Sequence, residues 1–280
     1  MKRPITATLV GAASALLALT VAATAEAFPQ RRDYFLDPPR GGTFVHADLI
    51  TVGAQVSLER RQILEDETMS NLNARVSALY SLGYADVAGH LDVRLLFLTL
   101  GASAGVRRVN RTYTGLAGPD GFLPEVTSEQ RREKDKDSKD ATSWNWAEAR
   151  ARLVIPLEPL WLVTNLAMRW EGQPDNTYDW FHTNVHDGGR LLRFDATMFV
   201  RAASFGGLGP TVRILDMPQR GKRVTEVAYG LTFGTRAGVF RKDDLFLFQT
   251  LVRPGDKEFG FHITRLPAYV MLIYRASFEL

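Results

Sequence analysis

The chain has 280 residues, 45% of them hydrophobic and 23% charged, enough for one large all-β domain or two small ones. Its 34 Lys and Arg stand against 31 Asp and Glu, and a formal charge of +3 gives no case for nucleic-acid binding. Cysteine is absent, which excludes disulfides, thiolate metal centres, a cysteine nucleophile and a lipidated N-terminal cysteine, and no motif calls for a cofactor.

Lys2 and Arg3 precede an apolar, alanine-rich run over 8–23 that closes with Ala25-Glu26-Ala27, the layout of a cleaved signal peptide over residues 1–27. An uncleaved anchor helix is the competing reading of the same run. Residues 28–42, with Pro29, Pro38, Pro39, Gly41 and Gly42, read as an irregular periplasmic lead-in.

From residue 43 onward the apolar residues recur with a period of two, which is the strand period. A first strand sets Ile50, Val52, Ala54, Val56 and Leu58 against Thr51, Gln55, Ser57 and Glu59. A second sets Leu72, Ala74, Val76, Ala78, Tyr80 and Tyr84 against Asn73, Arg75 and Ser77, with Leu79 interrupting the polar face. The third opposes Leu98, Leu100, Ala102, Ala104 and Val106 to Gly101, Ser103, Gly105 and Arg107, small residues where a narrow interior needs room. The fourth opposes Ala147, Ala149, Ala151 and Leu153 to Glu148, Arg150 and Arg152. The fifth opposes Leu162, Leu166, Met168 and Trp170 to Asn165, Arg169 and Glu171. A sixth opposes Leu192, Phe194, Ala196 and Met198 to Arg193, Asp195 and Arg201. The eighth opposes Val227, Tyr229 and Leu231 to Glu226, Thr232 and Arg236, and a tenth runs over Ala268–Leu280. The seventh, around Val212 and Ile214, and the ninth, over 245–252, have less distinct faces.

The connections fall into two sets. Short turns are expected near 89–92, 157–159, 205–207 and 242–244, and longer loops near 65–69, 115–142, 173–188, 218–222 and 253–265. Such alternation is expected of a membrane barrel with short periplasmic turns and long external loops. The expected fold is therefore all-β, a single antiparallel transmembrane β-barrel over residues 43–280 with about ten strands. Twelve is the alternative, should 173–188 or 253–265 hide a short hairpin.

A soluble β-sandwich also alternates, but apolar stripes of five to seven residues exceed the length of ordinary sandwich strands. Open sheet edges are excluded from hydrocarbon, so strands entering a bilayer must close on themselves. On these stripes, and on a final strand carrying Tyr274, Ala276 and Phe278, the chain resembles bacterial outer-membrane β-barrel proteins as a class. Leu280 stands where that class commonly has a terminal aromatic residue. The resemblance implies the bacterial outer membrane as location and outer-membrane lipid as surroundings, with envelope proteins as partners.

Arg75, Arg107, Arg150, Arg152, Arg169, Arg193, Arg201 and Arg236 then face the lumen with Glu148, Glu171, Asp195 and Glu226. Two outcomes follow: a positively biased lumen that admits anions, or Arg and acidic groups that pair across strands and fill a narrow barrel. His182, His186 and Asp187 cluster in the 173–188 loop without the glutamate of a zinc-protease helix, and read as loop residues beside aromatic ones. His46 and His90 are expected at strand ends, and His262 in a loop. Trp144, Trp146, Trp161, Trp170 and Trp180 are expected in interfacial girdles. The dense mixed charges of 129–140 read as a solvated loop. With no catalytic or metal motif, the expected role is a non-enzymatic component or anchor of an envelope assembly for transport, secretion or motility. A narrow anion-preferring channel is the first alternative, and a surface enzyme or adhesin using the external loops the second.

Overall fold

A computed structural model describes residues 40–51, 53–65, 70–81, 83–109, 117–118, 121–122, 141–157, 159–175, 177–179, 184–202, 206–219, 221–236, 244–253 and 268–280. The expected signal peptide, most of the lead-in, His182, Trp180, His262 and the charged segment 129–140 lie outside these residues.

In chain order the strands are β1 (Gly42–Ile50), β2 (Gly53–Glu65), β3 (Ser70–Tyr80), β4 (Tyr84–Leu95), β5 (Leu98–Val109), β6 (Ala117–Gly118) and β7 (Gly121–Phe122). They continue with β8 (Thr142–Leu157), β9 (Leu160–Glu171), β10 (Thr177–Asp179), β11 (Asn184–His186), β12 (Gly189–Ala202), β13 (Gly206–Gln219), β14 (Lys222–Arg236), β15 (Leu245–Val252) and β16 (Tyr269–Glu279). Twelve of them form a closed antiparallel barrel in the order β1-β2-β3-β4-β5-β8-β9-β12-β13-β14-β15-β16. β16 closes on β1 through pairs such as Ala47 with Ala276 and Asp48 with Arg275. The pairs β6–β7 and β10–β11 are short hairpins outside the wall.

The alternative count of twelve is the observed one, and the two additional strands are β1 and β4. The hairpin anticipated within 173–188 exists as β10–β11, but it does not join the wall. Gly89, read as part of a turn, lies inside β4, paired with Val76 on one side and Ala104 on the other. Its face points into open space, so a residue without a side chain leaves no gap in any packed layer. Tyr84 opens β4 and is buried inside, rather than continuing the outward stripe of β3.

Side-chain direction is inverted relative to a soluble domain. Leu49, Val56, Leu58, Val76, Val87, Leu91, Leu100, Val106, Leu166, Met198, Tyr229, Leu231 and Leu272 are exposed large apolar residues, all on the outward face. Along β8 the outward positions run from Ala147 to Leu157 without a charge. At about 3.3 Å per residue and a tilt near 40°, that run spans about 25 Å, the height of the apolar band of a membrane barrel. Among the described residues no helix is long and apolar enough to cross a membrane.

Strand order fixes two ends. At the turn end, where β1 begins and β16 finishes, the connections are 66–69, 96–97, 158–159, 203–205 and 237–244. The loop end carries 51–52, 81–83, 110–141, 172–188, 220–221 and 253–268. The long connections share one end, as expected, while the 65–69 connection belongs with the short turns instead. β1 shifts that one assignment, and β4 restores the alternation for all later strands.

Candidate functional site

The lumen holds most of the ionisable groups in the middle of the wall, and strand register decides which of them meet. A belt of directly cross-paired residues runs through β2, β3, β4, β5, β8 and β9: Glu59, Arg75, His90, Ser103, Glu148 and Arg169. Next to it, Arg150 lies opposite Gly101, which lies opposite Asp92. Arg150 binds Asp92 with both carboxylate oxygens at 2.7 Å, passing over Gly101. A Cβ on Gly101 would sit 2.1 Å from the Asp92 carboxylate, so this ion pair needs a glycine between its strands.

Toward the loop end the interior becomes dry. Arg107 donates from Nε to Asp86 at 2.9 Å and lies 3.5 Å from Glu171 and 3.7 Å from Asp179. Trp144 donates its indole N–H to Glu171 at 2.7 Å and Trp146 donates its own to Asp86 at 2.9 Å. The Arg169 guanidinium stacks 3.9 Å above the Trp146 ring and reaches Glu171 at 2.5 Å. Every carboxylate of this group therefore meets a cation or an N–H donor, the condition under which charges tolerate burial. Leu79, Tyr84, Val109 and Trp144 form an apolar cluster beside it. Leu191, Leu215 and Met217 form another, and Ala228, Leu251 and Tyr269 a third. Leu79, which interrupted a polar face in the sequence, is thus part of the interior apolar filling.

The β10–β11 hairpin folds over this end. Asp179 and His186 have side chains 0% exposed, and the His186 ring lies 3.3 Å from the Asp179 carboxylate and 2.8 Å from the Asp187 carbonyl. Gln173 donates to the His186 carbonyl at 3.0 Å, and Asp187 accepts the backbone N–H of Gly221 at 3.0 Å, tying the hairpin to the β13–β14 turn. His186 and Asp187, expected as loop residues, are structural braces. Among the described residues no three His, Asp or Glu side chains converge as a metal site.

The middle and the turn end are polar and wetter. Arg150, Arg275 and Arg193 keep 28%, 27% and 32% of their side-chain surface exposed, against 4% for Arg107. Arg275 pairs with Asp48 through two bonds of 2.7 Å, and Arg213 and Arg193 share Asp195 at 2.6 and 3.0 Å. Thr197, Thr211, Thr232 and Gln249 continue that network by hydroxyl and amide bonds. Glu226 pairs with Arg253. Arg152 faces inward near the turn end and is exposed. Arg201 and Arg236 hold register positions opposite Gly207 and Leu245, and their side chains lie outside the described residues. One wall of the turn end is apolar, built from Val154, Trp161, Val163 and Phe199.

His90 and His46 are not at strand ends without partners. His90 bridges Ser77 at 2.9 Å and Ser103 at 2.8 Å, and His46 bridges Ser277 at 2.8 Å and Glu59 at 3.3 Å. His90 in the belt and His46 beside it are thereby held by wall residues, and among the described residues no carboxylate bonds the His90 ring to orient it as a base. Trp144, Trp146 and Trp161 are buried inside rather than in girdles, and only Trp170 among the described tryptophans faces outward, 44% exposed. The signal was present in the sequence: Trp144 and Trp146 share parity with Glu148 and Arg150. The acceptors Asp48, Asp86 and Asp92 went unread because they lie on β1 and β4, which the sequence did not reveal, and Asp179 because its hairpin folds over the lumen instead of joining the wall.

No protein-family model matches the chain, and no curated relative matches it. Among solved structures it is similar to LpxR from Salmonella typhimurium, with 9% identity and a TM-score of 0.39, covering 85% of this chain and 100% of that one. It is also similar to the NanC porin, with 10% identity and a TM-score of 0.36, over 85% of this chain and 100% of that one.

Proposed function

We propose that this chain is an integral barrel of a bacterial outer membrane, closed to through-flow, that serves as an embedded component or anchor of an envelope assembly. The membrane location is supported by the uncharged outward band of β8 and the apolar residues exposed around the wall. The observation that carries the closed state is the filling of the loop end. There the Arg107 cluster, three apolar clusters and the β10–β11 hairpin occupy the interior, with Met217 and Leu251 at 0% exposure. A barrel so filled offers lipid an anchor and offers partners its loops, while its lumen communicates with the turn end alone.

Planar-bilayer recording on the purified full chain tests this reading. Insertion without stable conductance steps, together with copurification of a stoichiometric envelope protein, is the expected result. Stable open steps in the unmodified protein overturn closure. The partly exposed arginines of the mid-lumen favour a second reading, a narrow anion-preferring channel, which requires the hairpin and the Trp146 layer to move aside. Anion selectivity that is reduced when Arg193 becomes Glu would decide for it.

A further inference from the structure

Nearly all the arginines of the central lumen are matched to a carboxylate, and Arg75 is the exception. Among the described residues it makes no hydrogen bond and no ion pair. Its cross-strand neighbours are Glu59 on β2 and His90 on β4, and Arg275, Arg150 and Asp92 are among the charges that reach it. Both carboxylates are already engaged: Glu59 binds Arg61 at 2.6 Å and His46 at 3.3 Å, and Asp92 grips Arg150 with both oxygens. Arg275 is likewise spent on Asp48. Arg75 thus brings a whole guanidinium fork into an enclosed polar space where the nearest anions are neutralised by others.

A second donor points the same way. The Ser57 hydroxyl, on β2 two register positions along from the Glu59–Arg75 pair and on the same face, is 2% exposed and has no hydrogen-bond partner. Buried polar atoms normally find partners, and an unpartnered hydroxyl beside an unneutralised cation calls for an acceptor from outside the chain. The Arg150 and Arg275 side chains, 28% and 27% exposed, show that the space beside Arg75 admits solvent.

We propose that the central lumen is a binding site for a small oxyanion, a carboxylate or phosphate group carried by a solute that enters from the turn end, with Arg75 making the bidentate contact. Ser57 donates a hydroxyl from the same wall, and the Arg150 and Arg275 charges raise the local potential without leaving their own carboxylates. The entry route rests on the closed loop end proposed above, whereas the binding itself does not, so the two are separable by experiment.

Isothermal titration of the detergent-solubilised full chain with inorganic phosphate, and separately with acetate, reads the site directly, with glycerol as an uncharged control. Saturable binding of at least one anion is expected, weakened about ten- to a hundredfold in Arg75→Gln. Binding unchanged in Arg223→Gln, whose guanidinium lies on the outside paired with Asp216, separates the site from general charge. The two anions distinguish a phosphate from a carboxylate ligand. Heat-modifiable migration on gels checks that Arg75→Gln is closed; if it fails to fold, Arg75→Lys, which keeps the charge and loses the fork, is expected to weaken binding as well. Absence of saturable binding by either anion, or equal binding in the Arg75 variants, overturns the proposal. Binding that persists in a protein found to conduct would leave the site standing and remove the closed-barrel reading.

Discussion

Arg107 of β5 and Glu171 of β9, on strands separated by β8 and 64 residues apart in the chain, face each other across the dry end of the lumen at 3.5 Å. Neither is adjacent in the wall; the contact exists because the barrel is narrow enough for one side chain to reach over its neighbour strand. Removing Arg107 takes the shared cation from Asp86, Glu171 and Asp179, leaving Asp86 with only the Trp146 N–H and Asp179 with His186, while Glu171 keeps Arg169 and Trp144. Arg107→Ala is expected to lower the stability of the closed barrel by about 3–5 kcal/mol, the range found when one partner of a buried ion pair is deleted. Denaturant unfolding followed by heat-modifiable migration checks it, and an unchanged midpoint would remove Arg107 from the seal.

Trp146 covers Arg169 and binds Asp86. Trp146→Ala opens a large void beneath the β10–β11 hairpin, costs about 3–5 kcal/mol by analogy with aromatic deletions in packed interiors, and is expected to admit intermittent ion flow. Bilayer recording of this variant beside the unmodified chain measures the difference.

Glycine positions on the two faces should respond oppositely. A Cβ on Gly105 would meet the Val87 carbonyl at 2.6 Å and the Trp146 ring at 2.9 Å, whereas Gly89 has nothing within 4 Å. Gly105→Ala is expected to destabilise by about 1–3 kcal/mol through overpacking, and Gly89→Ala to be neutral or slightly stabilising. Thermal midpoints of the gel-shift transition in detergent compare the two.

Outward Val76, 60% exposed, lies near the middle of β3, and inward Asn165 near the middle of β9. In lipid vesicles Val76→Arg should cost about 2–4 kcal/mol, the penalty for a charge on the lipid face near the midplane, while Asn165→Arg should cost less. Equal penalties in both, or none in either, would argue against lipid on the outer face.

The alternation of residues along β5, β8, β9, β12 and β14 already separates a charged face from an apolar one, because successive side chains on a strand point oppositely whatever the strand pairs with. That local rule determined the all-β class, the inward direction of Arg75, Arg107, Arg150 and Arg169, and the gathering of long connections at one end. It missed β1 because Phe44 and Ile50 face inward while Thr43 faces outward, blurring both stripes. It missed β4 because Gly89 looks like a turn until its strand partners are known. The two omissions cancel for every later strand, so the assignment of later connections to the two ends holds with twelve strands as it did with ten.

What the sequence could not contain is which inward charge meets which. Pairing depends on register between strands far apart in the chain, and closure sets the first strand beside the last, as when the Leu280 amide donates to the Thr43 carbonyl at 2.9 Å. Only that closed geometry leaves Arg75 without a carboxylate and folds Asp179 and His186 over the Arg107 layer. Local chemistry fixes which way each side chain points, and only the closed ring of strands brings those side chains within reach of one another.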